Sequence, residues 1–181
     1  YYQGVYRANQ VLLNVPNIAF ADQELKNRVL GQAHFLRGLY FFHLVNLYGR
    51  VPLPLDLELY HGQKTNEEGW QQVISDFQKA ESHYSAIAIS YNLLKIQKGK
   101  LLCFQELGKE KEFEKQLESL LKLTEDYRKY IREDESRQSF FENEQIIFDL
   151  AINNALAKDE KEKAINLTEI SRSRSLLDFI K

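Results

Sequence analysis

The sequence predicts an all-α fold of stacked antiparallel helical hairpins, similar in layout to tetratricopeptide repeats. Apolar residues recur three and four positions apart over most of the chain, which is the spacing of one face of an α-helix. Glycine, proline or short polar runs interrupt this spacing, and the later interruptions are so short that neighbouring helices are expected to run antiparallel. Residues 104–120 also fit the packing positions of a tetratricopeptide unit loosely.

Proline and glycine delimit the first two predicted helices. The first runs from Gln3 to Asn14, because Pro16 does not allow easy continuation. The second begins after Asp22, a favourable N-cap residue, and ends at Gly49. One stripe of this second helix carries the apolar residues Leu25, Val29, Ala33, Leu36, Tyr40, Leu44 and Leu47.

A connection from Gly49 to Lys64 follows, and it is too long for a simple turn. Leucines at every second position from 53 to 59 predict a short extended segment with one buried face, and Pro54 would confine that segment to an edge. Long connections often carry function. We favour the simpler interpretation, a tether packed on the helices.

Five more helices are predicted downstream. Thr65 and Glu68 have the spacing of a capping box, which opens the third helix. The remaining four are predicted over 86–107, 110–132, 136–157 and 160–181, and Gly108 closes the first of these. The side chains expected to point inward from the third helix are Trp70, Val73, Ile74, Phe77 and Ala80.

Charge density divides the chain near its middle. Residues 1–90 hold 15 charged side chains and residues 91–181 hold 35, although the net charge of the whole chain is only −2. Such a shift usually marks a module boundary. We therefore predict one module over 1–84 and a second, tetratricopeptide-like module over 85–181, with a single continuous helical stack as the alternative.

The stretch from Gly31 to Leu55, GQAHFLRGLYFFHLVNLYGRVPLPL, resembles the N-terminal region of the RagB/SusD family. Tyr6-Arg7-Ala8-Asn9 and the helix after the connection agree with this resemblance, which covers residues 1–84. It implies a helical outer-membrane lipoprotein that captures glycans or other nutrients and caps a TonB-dependent transporter. Family members run to several hundred residues, so we expect the chain to be a fragment, and its lack of an initial methionine fits that expectation.

Residues 86–181 resemble something else. The run from Glu169 to Asp178, EISRSRSLLD, and the segment from Arg137 to Asn143 are similar to the region that joins tetratricopeptide repeats to a caspase-like peptidase in CHAT-domain proteins. This resemblance implies a protein–protein interaction scaffold, and it would place the chain in the cytoplasm. Because the two resemblances differ, a native fusion, a chimera and a joined gene fragment all stay open.

Several residues are candidates for particular roles. Tyr48, Tyr60 and Trp70 border the long connection and could stack on a sugar ring, so they are the predicted ligand-binding residues. Arg37 lies among apolar residues, and we expect it to pair with a carboxylate or with helix-end carbonyls, as a structural anchor. Structural roles are also predicted for Tyr40, Gly49 and Pro52.

Neither catalysis nor a cofactor is predicted. Cys103 lies on an apolar helix face with no histidine in its half of the chain, which favours packing over nucleophilic chemistry. His34 and His43 lie on opposite faces of one helix and cannot chelate a metal as an i,i+4 pair. The near-balanced charge argues against a nucleic-acid partner.

The sequence therefore predicts a non-catalytic binding module. The leading hypothesis is a piece of a RagB/SusD-like protein at the periphery of the outer membrane, with a glycan or peptide nutrient and a TonB-dependent transporter as partners. The alternative is a tetratricopeptide-type scaffold that binds protein partners on its helical surface.

Overall fold

The fold was determined as a computed structural model, which describes residues 1–58, 61–84, 91–130 and 134–179; side chains are described over 1–58, 61–83, 92–127 and 144–172. This part of the chain is all-α, as predicted, and a short 3₁₀ helix over Val15–Asn17 follows the first α-helix. The α-helices in it are α1 (Tyr2–Asn14), α2 (Gln23–Tyr48), α3 (Asn66–Tyr84), α4 (Tyr91–Glu106), α5 (Glu110–Tyr130), α6 (Asp134–Ala157) and α7 (Lys161–Phe179).

The chain divides into two compact units, Tyr1–Phe113 and Glu114–Lys181. In the first unit α2 packs against both α1 and α3, and α3 packs against α4. In the second unit α6 packs against α7. These four pairs of consecutive helices therefore contact each other, as expected of helical hairpins. The prediction of one module over 1–84 and a second over 85–181 stays a prediction.

The core of the first unit is a continuous apolar cluster. The inward residues predicted for α3 are all buried in it, and α4 adds Ile96 and Cys103 from beyond residue 84. Burying side chains of this size is the main stabilising contribution to such a unit. The cluster consists of Val5, Phe41, Leu44, Val45, Val51, Trp70, Val73, Ile74, Phe77, Ala80, Ile96 and Cys103.

The helix ends form as the sequence predicts. The Asp22 side chain accepts a hydrogen bond from the backbone N–H of Leu25 at 3.0 Å. Gly49 ends α2 with a φ of 69°, a left-handed conformation that favours glycine. At the start of α3, Thr65 Oγ1 accepts from the Glu68 N–H at 3.1 Å, and Glu68 Oε2 accepts from the Thr65 N–H at 2.8 Å, which completes the capping box.

The connection between α2 and α3 differs from the prediction. Leu55 and Leu57 are exposed and Leu53 is only partly buried, so the alternating leucines do not form a buried face. One isolated antiparallel bridge, between Pro52 and Gln63, is the only strand-like pairing in the described residues. Hydrogen bonds from Tyr2 and Asn9 to backbone carbonyls hold the connection instead. Leu59 lies outside the described residues.

The second unit is smaller and less apolar. Apolar spacing predicts inward positions in the last three helices for Leu117, Leu120, Thr124, Phe148 and Ala164, and all five are buried. The same spacing predicts an inward Ile170, which is 37% exposed. It also predicts inward residues at 131, 140, 141, 177 and 180, which fall outside the described side chains. Among the described residues, no helix is both long enough and apolar enough to cross a membrane.

Candidate functional site

A prominent concave feature of the first unit is a cleft between α1 and the connection that follows α2. Its volume is about 850 Å³. Residues 2, 3, 6, 7 and 10 lie three and four positions apart, so one face of α1 forms the first wall. The connection forms the second wall. The residues that line the cleft are Tyr2, Gln3, Tyr6, Arg7, Asn9, Gln10, Pro52, Pro54, Asp56, Glu58, His61 and Gly62.

Two tyrosines give the α1 wall its aromatic surface. Tyr2 is 40% exposed and Tyr6 is 43% exposed, so part of each ring is accessible to a ligand. The Tyr2 hydroxyl donates a hydrogen bond to the Pro52 carbonyl at 3.1 Å, which links α1 to the connection at one end of the cleft. Partial burial raises the pKa of Tyr2, so its hydroxyl stays protonated near neutral pH.

The opposite wall carries two carboxylates and a histidine. Asp56 Oδ1 accepts a hydrogen bond from the Glu58 backbone N–H at 2.9 Å and lies 2.9 Å from His61 Nε2. Ligand atoms of Asp56, Glu58 and His61 lie within 4.8 Å of one another, and in the described part of the chain this is the place where three metal-ligating groups meet. Despite its contact with Asp56, the buried His61 Nε2 makes no hydrogen bond within the described residues.

Asn9 lies at the base of the cleft and joins its two walls. Its side chain is fully buried, and Nδ2 donates to the carbonyls of Pro54 at 3.0 Å and Asp56 at 2.7 Å. Its Oδ1 accepts a hydrogen bond from Arg37 Nη1 at 2.9 Å. The residue that lines the cleft most deeply is therefore tied to α2 as well as to the connection.

Arg37 pairs with a carboxylate, which is one of the two partners that the sequence left open. Its Nε and Nη2 donate to the two oxygens of Asp76, at 3.0 and 2.6 Å, and both side chains are buried. His34 and Gln72 also lie within hydrogen-bond distance of Asp76. Burial alone would raise the pKa of Asp76, but the hydrogen bonds from His34 and Arg37, with the charge of Arg37, hold that pKa below its usual range.

Two of the three predicted ligand-binding residues, Trp70 and Tyr48, do not line this cleft. Trp70 is 2% exposed and packs edge-on against Phe42 in the core, so it offers no face to a sugar ring. Tyr48 is 69% exposed and borders a smaller depression beside Tyr1 and Arg50. Tyr60 lies outside the described residues.

The remaining predicted structural residues lie near the cleft. Tyr40 is partly buried against the first-unit core, and its ring leaves no room for a side chain at Gly4: a Cβ there would lie 2.3 Å from the ring. The Pro52 carbonyl accepts from Tyr2, as described above. The sequence noted Tyr6, Arg7 and Asn9 only as part of a family motif; the polar and aromatic face of α1 was the signal that would have located the cleft.

Cys103 is fully buried, and burial raises the pKa of its thiol to about 12, with the negative charge of Glu106 acting in the same direction. A thiol of this kind is protonated at neutral pH and is a poor nucleophile. Its environment is that of a packing residue in the core between α3 and α4.

Solved structures of SusD-like proteins share the fold. The chain matches a laminarin-binding SusD-like protein with a TM-score of 0.57 and 22% identity, over 66% of this chain and 28% of the other. A SusD-like protein from Bacteroides fragilis gives a TM-score of 0.59 and 19% identity, over 68% and 28%. A SusD-like carbohydrate-binding protein from the same organism gives 0.57 and 17%, over 66% and 25%.

The similarity to CHAT-domain linkers finds no support in these comparisons. Residues 86–98, which the sequence grouped with that linker, fall within a match to a SusD-like family model. This overlap agrees with the packing, since the α4 residues that begin the second predicted module share a core with α3.

Sequence relatives point to the same family. A SusD-like protein, P25, from Formosa agariphila is 31% identical over 91 residues, which are 48% of this chain and 17% of that protein. The chain thus spans less than a third of the relatives it matches. Residues 1–98 match the family model described as "Starch-binding associating with outer membrane", which is more than half of the chain. The chain belongs to the SusD-like family.

Proposed function

We propose that this protein binds glycans in the cleft between α1 and the connection, as one part of a larger nutrient-capturing protein. The observation that carries the proposal is the placement of two accessible tyrosine rings beside amide, guanidinium and carboxylate groups in a cleft of about 850 Å³. One SusD-like protein of known structure binds laminarin, and another is a carbohydrate-binding protein.

The chemistry of the cleft suits a sugar. The apolar face of a pyranose ring stacks on an aromatic ring, and Tyr2 and Tyr6 lie one turn apart on α1. Sugar hydroxyls both donate and accept hydrogen bonds, so they can pair with Gln3, Gln10 and Asp56. The cleft volume lies in the range of known small-ligand sites, which leaves space for a short oligosaccharide.

The arrangement of carboxylates supports binding without hydrolysis. Glycoside hydrolysis uses two carboxyl groups on opposite sides of the scissile bond. Asp56 and Glu58 lie two residues apart on the same wall, and Asp56 is engaged with the Glu58 N–H and with His61. The α1 wall that faces them offers tyrosine, glutamine and arginine side chains.

The proposal extends to location and partner. The family description associates its members with the outer membrane, and we place this protein at the periphery of that membrane. A TonB-dependent transporter would then receive the captured nutrient. Copurification of the tagged full-length gene product with such a transporter from outer-membrane extracts tests this part, and its absence from the purified material would contradict it.

Calorimetry with laminarin, maltoheptaose and xylohexaose tests glycan binding directly. Tyr6→Ala removes one stacking surface and should weaken binding of the preferred glycan about tenfold, which corresponds to about 1.4 kcal/mol. Tyr48→Ala is the matched control, because it deletes an exposed tyrosine outside this cleft and should change the affinity less than about twofold.

Two results would contradict the proposal. The first is that none of the three glycans binds at millimolar concentration. The second is that Tyr48→Ala weakens binding and Tyr6→Ala does not, which would move the site to the depression beside Tyr1 and Arg50.

A further inference from the structure

We infer, on the basis of the proposed function, that Asn9 is a positioning residue for the glycan cleft. Through Asn9, the buried ion pair of Arg37 and Asp76 sets the place of the wall that presents Asp56. Asn9 contributes to binding by holding this wall in place.

The first step concerns what the Asn9 side chain does. Both of its amide hydrogens are directed to carbonyls of the connection, those of Pro54 and Asp56, which lie 45 and 47 residues away in the chain. Asn9 is fully buried, so its amide reaches these carbonyls rather than water. An apolar residue at position 9 would leave two carbonyls short of a partner.

The second step concerns the orientation of that amide. An asparagine side chain can be turned by 180°, which exchanges its oxygen and nitrogen. Arg37 only donates hydrogen bonds, so it must face the oxygen of Asn9, and the NH₂ group is then directed at the connection. Arg37 in turn is held by two hydrogen bonds to Asp76 of α3. A chain of hydrogen bonds thus runs from α3 through α2 and α1 to the cleft wall.

The third step concerns what else holds this wall. Leu55 and Leu57 are exposed, so burial of apolar surface contributes little between Pro54 and Glu58. The Tyr2 hydrogen bond and the bridge to Gln63 both act at Pro52, before the acidic residues begin. The Asp56 side chain also contacts the Glu58 N–H and His61, but those residues belong to the connection itself. The donors of Asn9 instead tie this part of the wall to α1, and the carbonyl of Asp56 is the closer of their two acceptors.

The test replaces Asn9 by aspartate in the full chain. Asn9→Asp keeps the size of the side chain and an oxygen for Arg37, so the fold is expected to persist. It removes both donors and sets a carboxylate against the carbonyls of Pro54 and Asp56. Asn14→Asp is the matched control: it makes the same chemical change on the same helix, where the amide bonds only to the Gln10 carbonyl of its own helix.

Two readouts are measured for both variants: laminarin affinity by calorimetry, and hydrogen–deuterium exchange of peptides covering residues 50–64 and α3. Asn9→Asp should weaken laminarin binding at least about tenfold. It should also speed exchange over 50–64 while leaving α3 unchanged, which a role in general stability would not produce. Asn14→Asp should change neither readout by more than about twofold.

The inference is overturned if Asn9→Asp binds laminarin like the wild type, or if exchange over 50–64 does not change. Should this variant fail to fold, the wild type decides: NMR should show the Asn9 side-chain NH₂ protons exchanging at least about tenfold more slowly than those of Asn14. Equal rates would overturn the inference. If the wild type binds no glycan, the proposed function is contradicted instead. Hydrogen–deuterium exchange over 50–64 would then be the single test of whether Asn9 holds the wall in place.

Discussion

Asp76 shows how one residue organises the first unit. Its carboxylate is fully buried, and side chains from two helices, Arg37, His34 and Gln72, lie within hydrogen-bond distance of it. A buried charge is tolerated when its partner and hydrogen bonds replace the lost water, and here they do. The pair adds little net stability over an apolar pair of the same shape, but losing one partner is costly because the other charge stays buried.

Asp76→Asn should therefore destabilise the protein by about 3–5 kcal/mol, because Arg37 would remain buried without a countercharge. Urea denaturation followed by circular dichroism measures this change. Glu67→Gln is the matched control: it neutralises an exposed carboxylate on the same helix and should change the free energy of unfolding by less than about 1 kcal/mol. Similar midpoints for the two variants would contradict the expectation.

The ring of His83 stacks on His34, with ring centroids 6.0 Å apart, and this contact predicts a dependence of stability on pH. Burial and the charge of His34 both lower the pKa of His83. The unfolded chain then takes up a proton near its ordinary pKa of about 6.5 while the folded protein does not. The free energy of unfolding should consequently fall as the pH drops below about 6.5, until His83 is protonated in the folded state as well.

Urea denaturation at pH 8, 7, 6 and 5 measures this fall. His83→Gln should make the profile flatter between pH 7 and 5, and an unchanged slope would show that other groups cause it. Asp76 affects stability over a different pH range. Its pKa is lowered in the folded state, so the stability that it contributes is present above about pH 3.9 and is lost as the pH falls below that value. The two groups can therefore be distinguished by pH.

At the scale of the helices, the sequence predicted the elements well and the connection poorly. Helix starts and ends have local causes, such as the Asp22 cap, the positive φ at Gly49 and the Thr65–Glu68 box, and local causes are visible in a sequence. The leucine alternation suggested a buried face, but hydrogen bonds from Asn9, 45 residues away, hold that segment. The spacing of the leucines cannot show that a residue so distant in the sequence is the partner of this segment.

For the same reason, the sequence did not show where the candidate site lies. Trp70 and Tyr48 are both aromatic residues near the connection, and the sequence could not show that one is in the core and the other is exposed. The cleft is formed where α1 meets residues 52–58 and 61–62, so it exists only in the folded protein. The periodic face of α1 was visible in the sequence, but nothing local indicated which segment lies opposite it.

The contact between α3 and α4 gives a prediction for a pair of elements. A Cβ added at Gly99 of α4 would lie 2.4 Å from the ring of Phe77, which is itself 2% exposed and has little room to move. Overpacking of this kind costs about 1–3 kcal/mol, and the better helix propensity of alanine offsets up to about 1 kcal/mol. Gly99→Ala should therefore lower the free energy of unfolding by about 1–2 kcal/mol in urea denaturation.

Gly62→Ala is the control for this variant, because no atom lies within 4 Å of a Cβ at Gly62. It should change stability by less than about 0.5 kcal/mol. If Gly99→Ala is as stable as Gly62→Ala, α4 is not packed against Phe77 in solution.

For the whole molecule, the break in charge density and the break in packing fall at different places. Charge density changes near residue 90, whereas the first compact unit extends to Phe113 and the family match extends to residue 98. Charge density reports how much of a helix faces water, and an amphipathic helix with a highly charged outer face can still complete a core. α4 completes the core with Leu94, Ile96 and Leu101, which are buried beside the exposed Lys95, while the buried Lys100 pairs with Glu81 at 2.7 Å.

Fragments that end at different residues test which boundary matters for stability. A fragment of residues 1–84 lacks Ile96 and Cys103, so it should expose Phe77 and melt more than about 10 °C below a fragment of residues 1–113. The longer fragment should keep one cooperative transition, because it contains the whole first-unit core. Circular dichroism during heating compares both fragments with the full chain. Equal melting temperatures for the two fragments would mean that α4 adds nothing to the core and that the module ends at residue 84.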